Sequence, residues 1–145
     1  MKKLFATNND IVFLILRLVL GIVFFPHGAQ KVFGWFGGHG FSGTMGFFES
    51  QGIPAFLAFL AIMAEFAGSL GLILGLLTRV AAFGIACNMV VAIFAVHLPN
   101  GFFMNWAGDQ KGEGFEYHLL VLAITIALMI RGAGPFSLDK KIARS

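Results

Sequence analysis

The chain has 145 residues, of which 58% are hydrophobic and 12% are charged, about half the charged fraction of a typical soluble domain. This composition excludes a soluble globular fold and predicts a protein embedded in the lipid bilayer. The net charge of +3 comes from basic residues near the chain ends and the helix boundaries, so it does not indicate nucleic-acid binding. The single cysteine, Cys87, excludes an internal disulfide and a CxxC redox pair.

Four apolar runs follow one another along the chain, and each is near the ~17–25 residues that cross the hydrocarbon as a helix. The sequence therefore predicts an all-α fold, a membrane four-helix bundle that forms one domain over residues 1–145. The first run follows two lysines, as in a signal peptide, but it is too long for one, and we expect a retained helix. Only Thr78 and Arg79 separate the second and third runs, which predicts a tight hairpin. The runs cover about residues 11–33, 54–77, 80–98 and 115–130.

The distribution of basic residues favours both termini on the cytoplasmic side. With the N-terminus inside, seven basic residues flank the inner helix ends, and only Lys31 and Lys111 lie at the outer side. The reversed orientation is the alternative. The seven inner residues are Lys2, Lys3, Arg79, Arg131, Lys140, Lys141 and Arg144.

Three segments outside the apolar runs have their own predictions. The outer loops, residues 34–53 and 99–114, mix glycine with aromatic residues, so we expect them to dip toward lipid or to cover a pocket. The alternative is that they only anchor the chain at the interface. At the C-terminus we expect Phe136–Ile142 to form a short amphipathic segment on the inner surface, capped by Ser137, where its lysines meet anionic lipid.

Polar residues within the apolar runs are costly in lipid and usually face the bundle interior or water. At ~1.5 Å per residue, five ionisable groups fall about 18–26 Å above the inner helix ends. Histidine and carboxylate groups at a similar depth can bind a metal ion, relay protons to a quinone or similar ligand, or stabilise the bundle through hydrogen bonds. A metal is the weakest of the three, because neither an i,i+4 histidine pair nor an HExxH motif is present. The five groups are His27, Glu65, His97, Glu116 and His118.

We predict an outer pocket that binds a polar-headed apolar ligand, and we expect the backbone near Pro26 to kink toward it. Buried Glu65 is expected near His27 or Arg17, while Arg17 either pairs with Glu65 or snorkels to the inner interface. The predicted ligand-binding residues are His27, Gln30, Lys31, Trp35, Glu65, His97, Trp106 and Glu116. The predicted structural polar residues are Arg17, Arg79, Asn88 and His118, and no metal ligand is predicted.

Five motifs in order resemble the DoxX family of bacterial membrane proteins, from about Arg17 to Lys140. The resemblance implies a four-helix multi-pass fold in the bacterial cytoplasmic (inner) membrane. It also implies a weaker functional expectation, since some members are subunits of a thiosulfate:quinone oxidoreductase and others are linked to oxidative stress and thiol-redox partners. Besides residues predicted above for the site, the positions that match the family's pattern include Gly34 and Tyr117. The motifs are PHGAQKVFGWFGG, EFAGSLGLILGLLTRVAA, HLPNGFF, GFEYHLL and GAGPFSLD.

Two functions remain open at this point. The chain is either a membrane subunit or partner of a quinone-linked oxidoreductase or redox-stress system, or a non-catalytic carrier or scaffold for a lipid-like ligand or a partner protein. No haem, flavin or iron–sulfur motif is visible in the sequence, so a quinone is the one cofactor we consider, and a partner subunit would supply any redox centre. A homo-oligomer is a further alternative.

Overall fold

The computed structural model describes the backbone of residues 2–144 and the side chains of residues 4–143. Within that range every regular element is helical, which confirms the all-α prediction. Short 3-10 turns, Trp35–Gly37 and Leu98–Asn100, and a π-helical turn, Ile93–His97, join or extend the α-helices. The α-helices are α1 (Lys2–Phe5), α2 (Ile11–Phe33), α3 (Gly40–Ser50), α4 (Ala55–Leu74), α5 (Thr78–Ala92), α6 (Glu116–Arg131) and α7 (Leu138–Arg144).

The four long helices lie side by side, with α2 against α4, α4 against α5, α5 against α6, and α6 back against α2. Leu20, Leu72, Ile85 and Leu128, one from each helix, meet in the buried core. The α2–α4 contact is especially close, because a Cβ atom added at Gly28 would lie 2.5 Å from the Cα of Phe66. A glycine at this crossing therefore brings the two backbones together, as is common between membrane helices.

Three helical segments are long and apolar enough to cross a membrane: Ile11–Phe33, Ala55–Leu74 and Thr78–Asn100. Their outward faces carry exposed apolar side chains such as Ile22, Phe56 and Phe94, which suits contact with lipid rather than water. The remaining long helix, α6, has 16 residues and is shorter than these three segments.

The hairpin between α4 and α5 is longer than predicted. Helix α4 ends at Leu74, Gly75 follows in the left-handed conformation at φ 65°, and Thr78 and Arg79 form the start of α5. The carboxylate of Asp139 accepts hydrogen bonds from the Leu77 amide at 2.7 Å and the Thr78 amide at 2.9 Å. A residue about sixty positions away thus caps α5, which no local sequence pattern could reveal.

The first outer segment, which the sequence predicted as a loop, is mostly a helix. Helix α3 packs against α2 and α4, buries Thr44, and sets Phe41 against Phe59 with ring centroids 6.3 Å apart. Each glycine in a helix interior costs about 1 kcal/mol relative to alanine. Packing against two long helices outweighs that cost here. The second outer loop, residues 101–115, stays irregular.

Both ends of the described chain meet at one end of the bundle. The Gly134 amide donates to the Thr7 hydroxyl at 2.6 Å, and the Lys140 ammonium donates to the Asn9 side chain. Helix α7 begins at Leu138, two residues later than predicted, and the Lys140 amide donates to the Ser137 hydroxyl at 3.3 Å, so Ser137 caps it as expected. We call this the inner end of the bundle, because the sequence predicts that it faces the cytoplasm.

Candidate functional site

Glu65 is the centre of a polar group inside the helix bundle. The close crossing at Gly28 brings Lys31, one turn further along α2, to within 2.5 Å of Glu65, measured from Nζ to Oε2. The two side chains are only 24% and 12% exposed. An isolated carboxylate would be strongly disfavoured at this depth, and the ion pair compensates for much of its lost hydration. The predicted partners, His27 and Arg17, do not fill this role.

Two further helices contribute to the same group. Asn88 on α5 donates to the Ala61 carbonyl at 2.8 Å and approaches Glu65 Oε1 at 3.5 Å. Tyr117 on α6 lies close enough to interact electrostatically with the Glu65 carboxylate. Lys31 and Asn88, from two other long helices, therefore approach the Glu65 carboxylate directly, and Tyr117 of the fourth helix lies within electrostatic reach of it.

Two histidine rings lie close together beside Tyr117. The π-helical turn at the end of α5 presents His97 to His118 on α6, with ring centroids 4.1 Å apart. His97 Nδ1 lies 2.8 Å from the Glu113 carbonyl, which fixes its ring. The rings of the sequence neighbours His118 and Tyr117 are 5.6 Å apart, so the two histidines adjoin Tyr117. We call the whole set the polar cluster: Lys31, Glu65, Asn88, His97, Tyr117 and His118.

The polar cluster contains two buried polar atoms that lack a protein partner. His118 is 6% exposed, and its Nδ1 has no hydrogen bond within the described part of the chain. The same holds among residues 4–143 for the Tyr117 hydroxyl. Buried polar atoms are nearly always hydrogen-bonded in folded proteins, so each exception calls for a bound group or a functional reason.

Several predicted ligand-binding residues lie apart from the polar cluster. His27 points outward and is exposed, with its ring 6.3 Å from that of Phe24. Glu116 accepts a hydrogen bond from the Met104 amide at 2.8 Å and so fastens the second outer loop. The cluster therefore contains three of the eight predicted residues: Lys31, Glu65 and His97.

The remaining three belong to the aromatic outer rim. Gln30 donates to the Phe36 carbonyl at 3.2 Å, which fixes the turn after α2. Trp35 is half exposed and stacks on Phe33 with centroids 5.0 Å apart. Trp106 is 87% exposed at the tip of the second loop. These positions suit an interface with lipid headgroups.

The two predicted structural arginines bind backbone carbonyls at the inner end. Arg17 is 1% exposed and donates to the Leu72, Ile73, Ala133 and Phe136 carbonyls at 2.7–2.9 Å. It therefore neither pairs with Glu65 nor snorkels, which corrects both alternatives. Arg79 donates to the carbonyls of Met129, Ile130 and Ala6.

The inward position of one cluster member, His118, could have been predicted from the sequence pattern of α6. The buried residues of α6 are His118, Val121, Thr125 and Leu128, at spacings of three and four. This is the pattern of one buried helix face, so His118 points inward with the core residues. Its neighbour Tyr117 was marked only by the family resemblance, because its role depends on contact with another helix.

Comparison with known proteins decides the family. The family model named DoxX matches residues 12–98, which is more than half of the chain. The chain belongs to the DoxX family. The matched segment includes Lys31, Glu65, Asn88 and His97 of the polar cluster, while α6 lies beyond it.

Relatives of this DoxX protein cover most of its length. "Inner membrane protein YqjF" of Escherichia coli (strain K12) is 30% identical over 140 residues, which are 97% of this chain and 95% of the relative. "Putative oxidoreductase CatD" of Bacillus subtilis (strain 168) is 35% identical over 115 residues, 79% of this chain and 76% of the relative. No solved structure matches significantly. The family, its inner-membrane relatives and the apolar helices identify a multi-pass bacterial inner-membrane protein.

Proposed function

We propose that this DoxX protein is a membrane subunit or partner of a quinone-linked oxidoreductase or redox-stress system. In this proposal the polar cluster binds the polar head of a quinone-like ligand. The proposal rests on two buried atoms, Tyr117 Oη and His118 Nδ1, which have no hydrogen-bond partner among the described residues and belong to the same polar cluster as the Lys31–Glu65 ion pair.

The polar cluster suits a quinone head chemically. A quinone presents carbonyl oxygens that need hydrogen-bond donors, and the Tyr117 hydroxyl and a His118 ring N–H can each donate. Lys31 and Glu65 remain partly exposed, so the cluster can be reached from the surface. A bound quinone accepts two electrons and two protons overall. Imidazole rings can relay protons, and the His118 and His97 rings lie 4.1 Å apart, so they could pass protons next to the head.

In the proposal, the electrons come from a partner protein. The sequence contains no visible haem, flavin or iron–sulfur motif, so this chain would bind and orient the quinone while a partner subunit carries the redox centre. The printed name of CatD calls that relative an oxidoreductase, which supports a redox setting for the present chain.

Lipid extraction from the purified protein tests the proposal. We expect quinone to co-purify with the unaltered chain, and His118→Gln, which keeps most of the buried side-chain volume, to lose most of it with little change in melting temperature. His27→Gln is the control, because His27 is an exposed histidine outside the polar cluster. Equal quinone content in both variants, or none in the unaltered chain, would count against the proposal.

The alternative is a carrier or scaffold without redox chemistry. It is favoured by the contacts of Lys31, Glu65 and Asn88, which connect three helices and satisfy one another. A purely structural cluster predicts that every cluster variant melts early and that any functional defect follows protein abundance. A ligand site predicts functional loss at normal abundance.

We further propose that α6 is a fourth membrane span and that both termini face the cytoplasm. The supporting observation is that α1 contacts α7, so the chain ends lie together and the number of crossings is even. The basic inner flanks favour the cytoplasmic side for that end. A topology reporter fused at Ser145 should report inside, and one inserted at Gly43 should report outside. An outside signal at Ser145 would contradict this topology.

A further inference from the structure

An open groove lies at the inner end of the bundle, at the opposite end from the outer aromatic rim. Its volume is about 890 Å³, and we call it the inner groove. One wall is apolar and comes from the ends of α2 and α4, while basic residues of α7 form the other side. The lining of the inner groove includes Ile11, Ile73, Leu74, Phe136, Lys140 and Lys141.

Phe136 is held outward over the inner groove. It has φ 51°, a left-handed conformation that is uncommon for a residue with a Cβ atom, and it is 83% exposed. The buried Arg17 guanidinium binds the Phe136 carbonyl at 2.8 Å, and Ser137 is buried next to it. The fold therefore fixes a strained backbone that displays an aromatic ring at the end of the bundle. Aromatic rings in such a position suit the lipid interface.

The basic side of the inner groove borders a smaller polar recess of about 360 Å³. Thr7, Asn8, Asn9 and Lys140 line this recess, and Lys140 and Asn9 belong to both cavities. Lys141 is exposed on the groove side. The nearby carboxylate of Asp139 is 1% exposed and is held by the Leu77 and Thr78 amides. The charge that faces outward from α7 is therefore positive.

We propose that the inner groove is a binding site for an anionic phospholipid. The headgroup phosphate lies where the polar recess opens into the groove, next to Lys140, which lines both, and Lys141, which lines the groove. An acyl chain follows the apolar wall of Ile11, Ile73 and Leu74. A polar recess continuous with an apolar groove matches the two parts of a lipid, and the positive charge selects an anionic headgroup. This site is separate from the polar cluster and does not depend on quinone binding.

Native mass spectrometry of the full chain in a neutral detergent tests the lipid site. Titration with phosphatidylglycerol should give a one-to-one complex that phosphatidylcholine forms more weakly. Lys140→Gln combined with Lys141→Gln should weaken phosphatidylglycerol binding roughly 25-fold, as expected when two lysines near the membrane surface are neutralised. Lys111→Gln is the matched control, because Lys111 is an exposed lysine in the second outer loop and should leave binding unchanged. Unchanged binding in the double variant would overturn the proposal.

Phe136→Gly separates lipid binding from folding. Glycine adopts the left-handed conformation without strain, so the melting temperature should stay or rise. Loss of the aromatic wall should weaken phosphatidylglycerol binding roughly tenfold. Unchanged binding in this variant would contradict the assigned groove. Displacement of the lipid by inorganic phosphate alone would also overturn the proposal, in favour of a small-anion site. Loss of a homodimer in the lysine double variant would overturn it in favour of a contact between copies of the chain.

Discussion

The inner end of the bundle and the polar cluster both bury charged groups, but they satisfy them differently. At the inner end Arg17 and Arg79 bind backbone carbonyls, and Asp139 binds backbone amides. In the polar cluster Glu65 bonds with side chains, and a tyrosine hydroxyl and a histidine nitrogen have no partner within the described structure. The inner end also holds two buried atoms, Thr78 Oγ1 and Arg79 Nε, that have no hydrogen-bond partner among the described residues, although the other two nitrogens of Arg79 donate to carbonyls.

This difference separates a structural role from a binding role. Backbone groups cannot leave a helix end without unfolding it, so side chains bonded to them act as fixed links between segments. Side chains bonded to side chains can exchange partners with a ligand at a smaller cost. We therefore expect substitutions at the inner end to act on stability, and those at the unpartnered atoms of the polar cluster to act on binding.

The largest expected effect is that of Arg17→Met. The variant leaves several buried carbonyls without a donor, and each unsatisfied buried group costs about 1–3 kcal/mol. We expect the free energy of unfolding to fall by more than about 3 kcal/mol, with little folded protein recovered in detergent. Arg131→Met, at an exposed arginine near the same end, is the control and should melt normally. A normal melting temperature for Arg17→Met would remove the proposed distinction between the two regions.

Asp139→Ala should have the next largest effect. It removes the acceptor for the Leu77 and Thr78 amides at the start of α5, and loss of such a helix cap costs about 1–2 kcal/mol. Thermal melting of the purified variant measures this loss. Asp109→Ala, at an exposed aspartate in the second outer loop, should change nothing. Equal melting temperatures for the two variants would show that Asp139 does not hold the hairpin.

The sequence predicted much of the helix architecture because apolar run length reports directly on membrane helices. It placed the start of α2 at Ile11 and its end at Phe33, as the structure has them. It missed α3, because the glycines at 40, 43 and 46 suggested a loop and the stabilising contacts come from α2 and α4. Local periodicity carries no information on such long-range packing.

The site was predictable only in part. Depth along the helices correctly brought His97 and His118 together, but depth does not tell which way a side chain points. His27 was therefore assigned to the pocket although it faces outward, and Glu116 was assigned there although it binds the Met104 amide. The Lys31–Glu65 pair depends on the close α2–α4 crossing at Gly28, which only the folded structure specifies.

An effect of similar size to that of Asp139→Ala is expected at the ion pair, where Glu65→Gln tests how strongly charge matters in the polar cluster. The glutamine keeps the shape but leaves the Lys31 ammonium without its counter-charge, so we expect a loss of about 1–2 kcal/mol. Adding Lys31→Met should recover part of this loss, and a double-mutant cycle of melting temperatures measures the coupling. Additive losses in the double variant would show that the two side chains do not act as a pair.

The most direct test of the binding role is Tyr117→Phe, measured by thermal melting with and without a short-chain quinone. The phenylalanine removes only the unpartnered hydroxyl, so the melting temperature without ligand should not change. Quinone should raise the melting temperature of the unaltered chain, because a ligand that binds only the folded state stabilises it. It should raise that of Tyr117→Phe much less. An equal rise in both proteins, or a lower melting temperature for Tyr117→Phe without ligand, would contradict the assignment of the polar cluster as a ligand site.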